Sequence, residues 1–116
     1  MTMKDAPQAG PANEVRLIGR VSGQPEERVL PSGDRLVSFR VVVARDRPRG
    51  RQSVDALECV AWSARSRRSV SRWGDGDTVE VSGSLRRRFY RAGATTVSRV
   101  EVETSRARII RRAATA

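Results

Sequence analysis

Arginine is the residue with the greatest chemical reach in this chain, and it clusters in two places. Arg45, Arg47, Arg49 and Arg51 alternate through one short segment, while Arg86, Arg87, Arg88 and Arg91 surround the adjacent rings of Phe89 and Tyr90. A guanidinium is planar and permanently charged, so it forks onto phosphate and stacks on flat rings in a way that lysine does not. Lys4 is the only lysine among 23 basic residues, and 13 acids leave a formal charge of +10. A polyanionic partner follows from that charge. A GC-rich genome would also favour arginine over lysine, but it does not explain the net charge. Aromatic residues make up only 4% of the chain, so rings placed among arginines carry information.

The same inventory narrows the chemistry. With no histidine and the single Cys59, Cys/His zinc sites and intrachain disulfides cannot be assembled. There is no imidazole base, the one thiol falls within an expected strand, and no glycine-rich phosphate loop with a lysine is present. The chain therefore reads as a binding protein rather than an enzyme, with no cofactor and no small-molecule substrate. Gly74 to Asp77 offers too few ligands for a calcium loop and reads as a turn. No secretory signal and no run of roughly 20 apolar residues occurs, so a cytoplasmic, nucleoid-associated protein without membrane contact is expected.

The elements that must position these residues are mostly strands. Residues 1–12, rich in small and polar side chains, read as a flexible arm. From Asn13, Val15, Leu17 and Val21 share one face and Glu14, Arg16 and Arg20 the other, which is the period of a half-buried strand. ERVLPSGDRLVSFRVVVA reads as a strand, a PSGD turn and a second strand, the latter with Val37, Phe39, Val41 and Val43 on one side and Leu36 and Val42 on the other. RDRPRGRQS has no apolar anchor and reads as a mobile basic loop.

Strand signals resume in VDALECVAW. SARSRRSVSRW then spaces Ala64, Val70 and Trp73 as the inward face of a short helix, with Arg65, Arg67, Arg68 and Arg72 outward. DTVEVSGSLRRRFY and TTVSRVEVETSRARII supply two last strands, with a bulge expected where alternation fails near Glu103 to Arg106. The count is five strands with one short helix between the third and fourth, the element order of an all-β, five-stranded OB barrel. That barrel spans residues 13–110, and residues 111–116 form a short basic tail.

NEVRLIGRVSGQPEERVLPSGDRLVSFRVVVA resembles the opening of bacterial single-stranded DNA-binding proteins, through Asn13, Leu17, Gly19, Pro25, Glu26, the turn at Pro31 to Gly33, and Phe39. VAWSARSRRSVSRWGDGDTVEVSGSLRRRFY is similar to the same family's third strand, helix, turn and fourth strand, with Gly76, Val79, Val81, Gly83 and Leu85 at its small or apolar positions. By this resemblance Trp62 stands where the family carries a stacking Phe and Tyr90 where it carries a Trp, whereas Trp73 falls on an apolar core position. Phe89 is the weaker stacking candidate, because neighbouring strand residues face opposite ways.

The sequence also departs from the family. Asp55, Ala56 and Leu57 replace a frequent Glu-Trp-His, and the arginine-rich segment near Arg47 replaces an aromatic. RRAATA stands where the family's acidic, glycine-rich partner-recruiting tail is expected, which implies a divergent or accessory member.

The resemblance implies sequence-independent binding of single-stranded DNA in replication, recombination or repair. Bases would stack on Trp62, Tyr90 and Phe89, and both arginine clusters would neutralise phosphates. It also implies a homo-oligomer, a tetramer in preference to a dimer. An RNA-binding OB protein, and a protein-binding adaptor or replication-restart accessory on the same barrel, are the alternatives.

Overall fold

The structure, a computed structural model, describes residues 9–114. Residues 1–8 of the expected arm and residues 115–116 of the expected tail lie outside the described residues. The elements in chain order are β1 (Val15–Val21), β2 (Glu26–Val29), β3 (Arg35–Arg49), β4 (Gln52–Ala61), α1 (Ala64–Val70), β5 (Thr78–Ala92) and β6 (Thr95–Arg111). The sheet runs β1-β5-β6-β4-β3-β2, and a further β1–β3 pairing closes β1, β5, β6, β4 and β3 into a five-stranded barrel. Closure removes most of the edge that an open sheet of this size would expose.

Four expectations need correcting. The strand count rises to six because the chain breaks after Val21 and re-enters as β2, a short strand paired to the outer edge of β3. The helix therefore follows the fourth strand in chain order rather than the third. The expected basic loop is a β-ribbon: β3 runs on to Arg49, turns at Gly50 and Arg51, and returns as β4, with a register shift between Ala44 and Arg49. Within the segment Arg49 pairs with Gln52, while Arg45 to Pro48 fall within the register shift. Within α1 the inward residues are Ser66 and Val70, continued by Trp73, while Ala64 is exposed. Steps of four and three residues keep Ser66, Val70 and Trp73 on one helical face, and Ala64 falls off it.

Alternation fills the barrel with Val21, Val37, Val41, Val79, Val81 and Val102, together with Cys59 and Ala61. These side chains are small, and the two rings of the core, Phe39 and Trp73, pack among them in edge-to-face contact at 5.5 Å and 86°. Burial pushes the Cys59 thiol up to about 12, reinforced by the carboxylates of Glu58 and Glu101, and leaves it without a reactive thiolate.

Two glycines permit the strand crossings. A Cβ on Gly19 would stand 2.3 Å from the Val42 carbonyl oxygen, at the point where β1 leaves β5 to pair with β3. A Cβ on Gly83 would stand 1.9 Å from the Glu103 carbonyl oxygen. There the β5–β6 register jumps from Gly83↔Thr104 to Ser82↔Arg106, leaving Ser105 as the extra residue of the expected bulge.

Asp77 ties the ends of the barrel together. Its carboxylate accepts from the backbone N–H of Gly74 at 2.8 Å, from that of Ala113 at 2.8 Å, and from Arg112 Nη1 at 3.1 Å. Its own carbonyl accepts from the Val21 N–H at 2.9 Å. Start of β5, end of β1 and the segment after β6 thus meet at one residue. The Ala113 N–H, then that of Gly74 and the Arg112 guanidinium hold the carboxyl below its ordinary range, against the opposing effect of burial.

Two predictions follow from this packing. Gly19→Ala and Gly83→Ala should each lower unfolding free energy in urea by about 1–3 kcal/mol, the usual cost of overpacking. Gly10→Ala, with nothing within 4 Å of the added carbon, should match wild type, and equal stability of all four proteins would contradict the close approaches. A depressed native pKa means that Asp77 stabilises fully above about pH 4 and loses that contribution as pH falls through its lowered native value. Asp77→Asn should therefore cost roughly 1.5–3 kcal/mol at pH 7 and flatten the acid limb of a stability–pH curve, as followed by denaturant midpoints.

Candidate nucleic-acid interface

Strand alternation that turns valines inward turns a different set outward. On β3 and β4, opposed residues Leu36, Ser38 and Arg40 face out together with Val60 and Glu58, flanked by Arg28 of β2. Beyond the barrel, β5 and β6 continue as a long two-stranded ribbon, turned by Gly93 at φ 66° and Ala94. This two-residue turn fixes the register: Tyr90 opposes Val97, Arg88 opposes Arg99 and Arg86 opposes Glu101. The ribbon face carrying these pairs looks across at the outer face of β2, β3 and β4. Between them lies a cleft of about 800 Å³ lined by Leu36, Arg40, Val60, Trp62, Arg88 and Tyr90, among others.

Trp62 is fixed by the start of the helix. Ser63 caps α1 by accepting from the Ser66 N–H at 3.1 Å, and the Trp62 carbonyl accepts from Arg67 Nε at 3.0 Å. Its backbone is thereby pinned between β4 and α1, with the ring at the end of the cleft. The Arg88 guanidinium lies 5.1 Å from the Trp62 ring centroid, and that of Arg99 lies 5.8 Å from the Tyr90 centroid. Both distances are those of cation–π contact. Trp62 Nε1 is buried without a hydrogen-bond acceptor among the described residues.

Of the residues singled out from sequence, the structure brings Trp62, Tyr90 and Arg88 together on the cleft, with Arg86 on the same ribbon face. Phe89 points the other way and is 68% exposed, and Arg87 and Arg91 share its face by alternation. Arg45 is engaged in a bidentate pair with Asp55, Nε to Oδ2 at 3.0 Å and Nη2 to Oδ1 at 2.7 Å. That hydrogen bonding raises the Arg45 pKa and lowers that of Asp55. Arg47, Arg49 and Arg51 are exposed along the β3–β4 ribbon and do not line the cleft. Ala56 opposes Val42 on the outer face, so no ring occupies that position.

Sequence reasoning did not find Arg99, Arg40, Glu58 or Glu101. A signal for two of them exists in the Ala-Gly-Ala-Thr turn: counting back from Gly93 and Ala94 sets Arg99 opposite Arg88 and Glu101 opposite Arg86.

The arrangement offers two flat rings on one cleft, with guanidinium groups between and beside them. Such a surface can stack planar ligands and pair with anions at once. Among the described residues no group of acids, cysteines or histidines is placed to hold a metal ion, and no helix is long and apolar enough to cross a membrane.

Comparison with known proteins agrees with this geometry. A Bacillus subtilis single-stranded DNA-binding protein A is 30% identical over 80 residues, covering 67% of this chain and 46% of that protein. A single-stranded DNA-binding protein of Halalkalibacterium halodurans is 29% identical over 80 residues, covering 67% of this chain and 48% of its own length. The chain thus aligns with about half the length of the curated relatives it matches. The fold is shared with a Plasmodium falciparum SSB solved in complex with ssDNA, at a TM-score of 0.69 and 23% identity, covering 90% of this chain and 97% of that one. The single-strand binding protein family matches residues 12–110, nearly all of the barrel and its ribbon, and the chain belongs to that family.

Proposed function

We propose that the chain binds single-stranded DNA without sequence preference, bases stacking in the cleft between barrel and ribbon while arginines neutralise the backbone. The observation that carries this reading is the convergence of Trp62 and Tyr90, from distant parts of the chain, on one arginine-lined cleft. Duplex DNA keeps its base faces stacked on each other, so only an unpaired strand can use both rings. The names of the relatives and of the solved complex support the same ligand. Stacking and phosphate pairing involve no bond making or breaking, and the reading is of a binding protein serving replication, recombination or repair inside the cell.

Among the other candidates, Arg87, Arg91 and Phe89 would meet nucleic acid only if the strand wraps around the ribbon. Arg47, Arg49 and Arg51 would extend the path along the second ribbon. We infer a homo-oligomer, because β1 is paired on both sides only at Arg20. The remainder of its outer edge, with Ile18 43% exposed, is open for pairing with another chain. Light scattering coupled to gel filtration should return a multiple of the 12.8 kDa chain mass, and a monomer at all concentrations would contradict the inference.

Titration with oligo-dT should quench tryptophan emission, and the change reports Trp62, since Trp73 is 4% exposed in the core. Trp62→Ala and Tyr90→Ala should each weaken binding by roughly 5- to 150-fold, the cost of one lost stack. Phe89→Ala should have the smallest effect of the three. Equal affinity for oligo-dT, oligo-U and duplex, insensitive to both ring substitutions, would instead describe an unspecific basic surface.

A further inference from the structure

Charge in the cleft does not follow charge on the chain. The protein carries +10 overall, yet the cleft is lined by Arg28, Arg40, Arg88 and Arg99 against Glu26, Glu58 and Glu101. Arg40 Nη2 meets Glu58 Oε1 at 2.6 Å. Arg88 Nε donates to Glu101 Oε1, and Arg88 Nη2 donates to Glu103 Oε2 at 3.2 Å. Glu103 is shared, since Arg86 Nε also approaches its Oε2 at 3.4 Å. The Glu101 side chain is only 10% exposed, less than any other carboxylate in the cleft's ion pairs. The guanidinium that these two glutamates hold is the one lying over the Trp62 ring.

We propose that Glu101 and Glu103 act as resident substitutes for phosphate, holding Arg88 over Trp62 so that a ligand must bring both a free base and an anion to open the cleft. The proposal rests on the stacking reading above and adds the residues that set its selectivity. An incoming phosphate competes with the two carboxylates for Arg88 on equal chemical terms, as one oxyanion for another. What tips the exchange is the base, which gains a stacking surface on Trp62 beside or in place of the guanidinium. Duplex DNA and polyphosphate bring anions without a free base face, so for them the exchange returns nothing beyond what the glutamates already supply. Net charge would make the surface attractive to every polyanion, and the internal glutamates would restrict the cleft to single strands. Glu101 and Glu103 are positioning residues in this account, acting through Arg88 rather than on the nucleic acid.

The test measures oligo-dT, duplex of the same length and inorganic polyphosphate against wild type, Glu101→Gln and Glu103→Gln over a series of salt concentrations. Glutamine keeps shape and removes charge, and thermal melts confirm folding. Should the buried Glu101→Gln variant fail to fold, Glu103→Gln at a 34% exposed side chain carries the test alone. The variants should bind polyphosphate and duplex roughly tenfold more tightly and oligo-dT by a smaller factor, narrowing the single-strand preference. The log–log salt slope for oligo-dT should steepen by about 0.7 for each phosphate newly paired. Wild-type discrimination and slope in both folded variants would overturn the proposal while leaving the stacking site intact. Absence of oligo-dT binding by wild type would overturn the stacking reading itself.

Discussion

The barrel depends on how closely β1 can approach β3. At Gly19 the backbone of one strand passes so near the Val42 carbonyl that no side-chain carbon fits between them, and beyond that point β1 takes β3 as a partner, beside β5 at Arg20 and alone at Val21. Closing a small sheet into a barrel requires its strands to tilt and stagger strongly, and the close approach at Gly19 lets β1 reach β3 at that stagger. Gly83 repeats the device where β6 bends through its bulge. Closure sets the curvature, and curvature brings the free β5–β6 ribbon over the outer face of β3 and β4. A flatter sheet would hold the same rings and arginines on one broad surface with no cleft between them.

Inside and outside are then divided by the two-residue period of the strands. Val37, Phe39 and Val41 point inward, while Leu36, Ser38 and Arg40 point into the cleft. One set of strands thus serves as both core wall and binding floor, which ties stability to function at adjacent residues. The two tryptophans show how position decides role. Trp73, one helical turn past Val70, closes the end of the barrel against Phe39. Trp62 precedes the helix cap, where the strand has ended and the helix has not begun, and its ring is left facing the cleft.

Much of this was legible because local pattern and tertiary role coincide. Alternation identified the inner faces of β1 and β3, the proline and glycine of PSGD marked a turn, and the spacing of Val70 and Trp73 marked a buried helical face. The ribbon through Arg45 to Arg51 was not legible, since it has no apolar side chain to mark a strand face. The short strand before PSGD was legible but stood outside the count of five strands, its four residues in β2 all being exposed. Phe89 and Tyr90 could be ranked in advance, since alternation says that they diverge and the resemblance favours Tyr90. The register of β5 against β6 puts Tyr90 on the same cleft as Trp62. Hidden most deeply were the partners of the arginines, because Arg88 is joined to Glu101 and Glu103 by a hairpin register that composition does not contain.

Net charge and contact charge consequently do separate work. A surplus of arginine over the whole surface acts at a distance, drawing any nucleic acid toward the protein and raising its encounter rate. At physiological salt that influence fades over roughly 8 Å, so it cannot discriminate among polyanions once one is in contact. Discrimination falls to the cleft, where Arg40 and Arg88 are already matched by Glu58, Glu101 and Glu103. A guanidinium with a carboxylate partner is held in place before the ligand arrives, which lowers the entropy lost on binding, and it is indifferent to a second anion of the same kind. Only a ligand that offers more than charge can gain by replacing the carboxylate, and within this cleft the additional offer is a flat, unpaired ring for Trp62 and Tyr90.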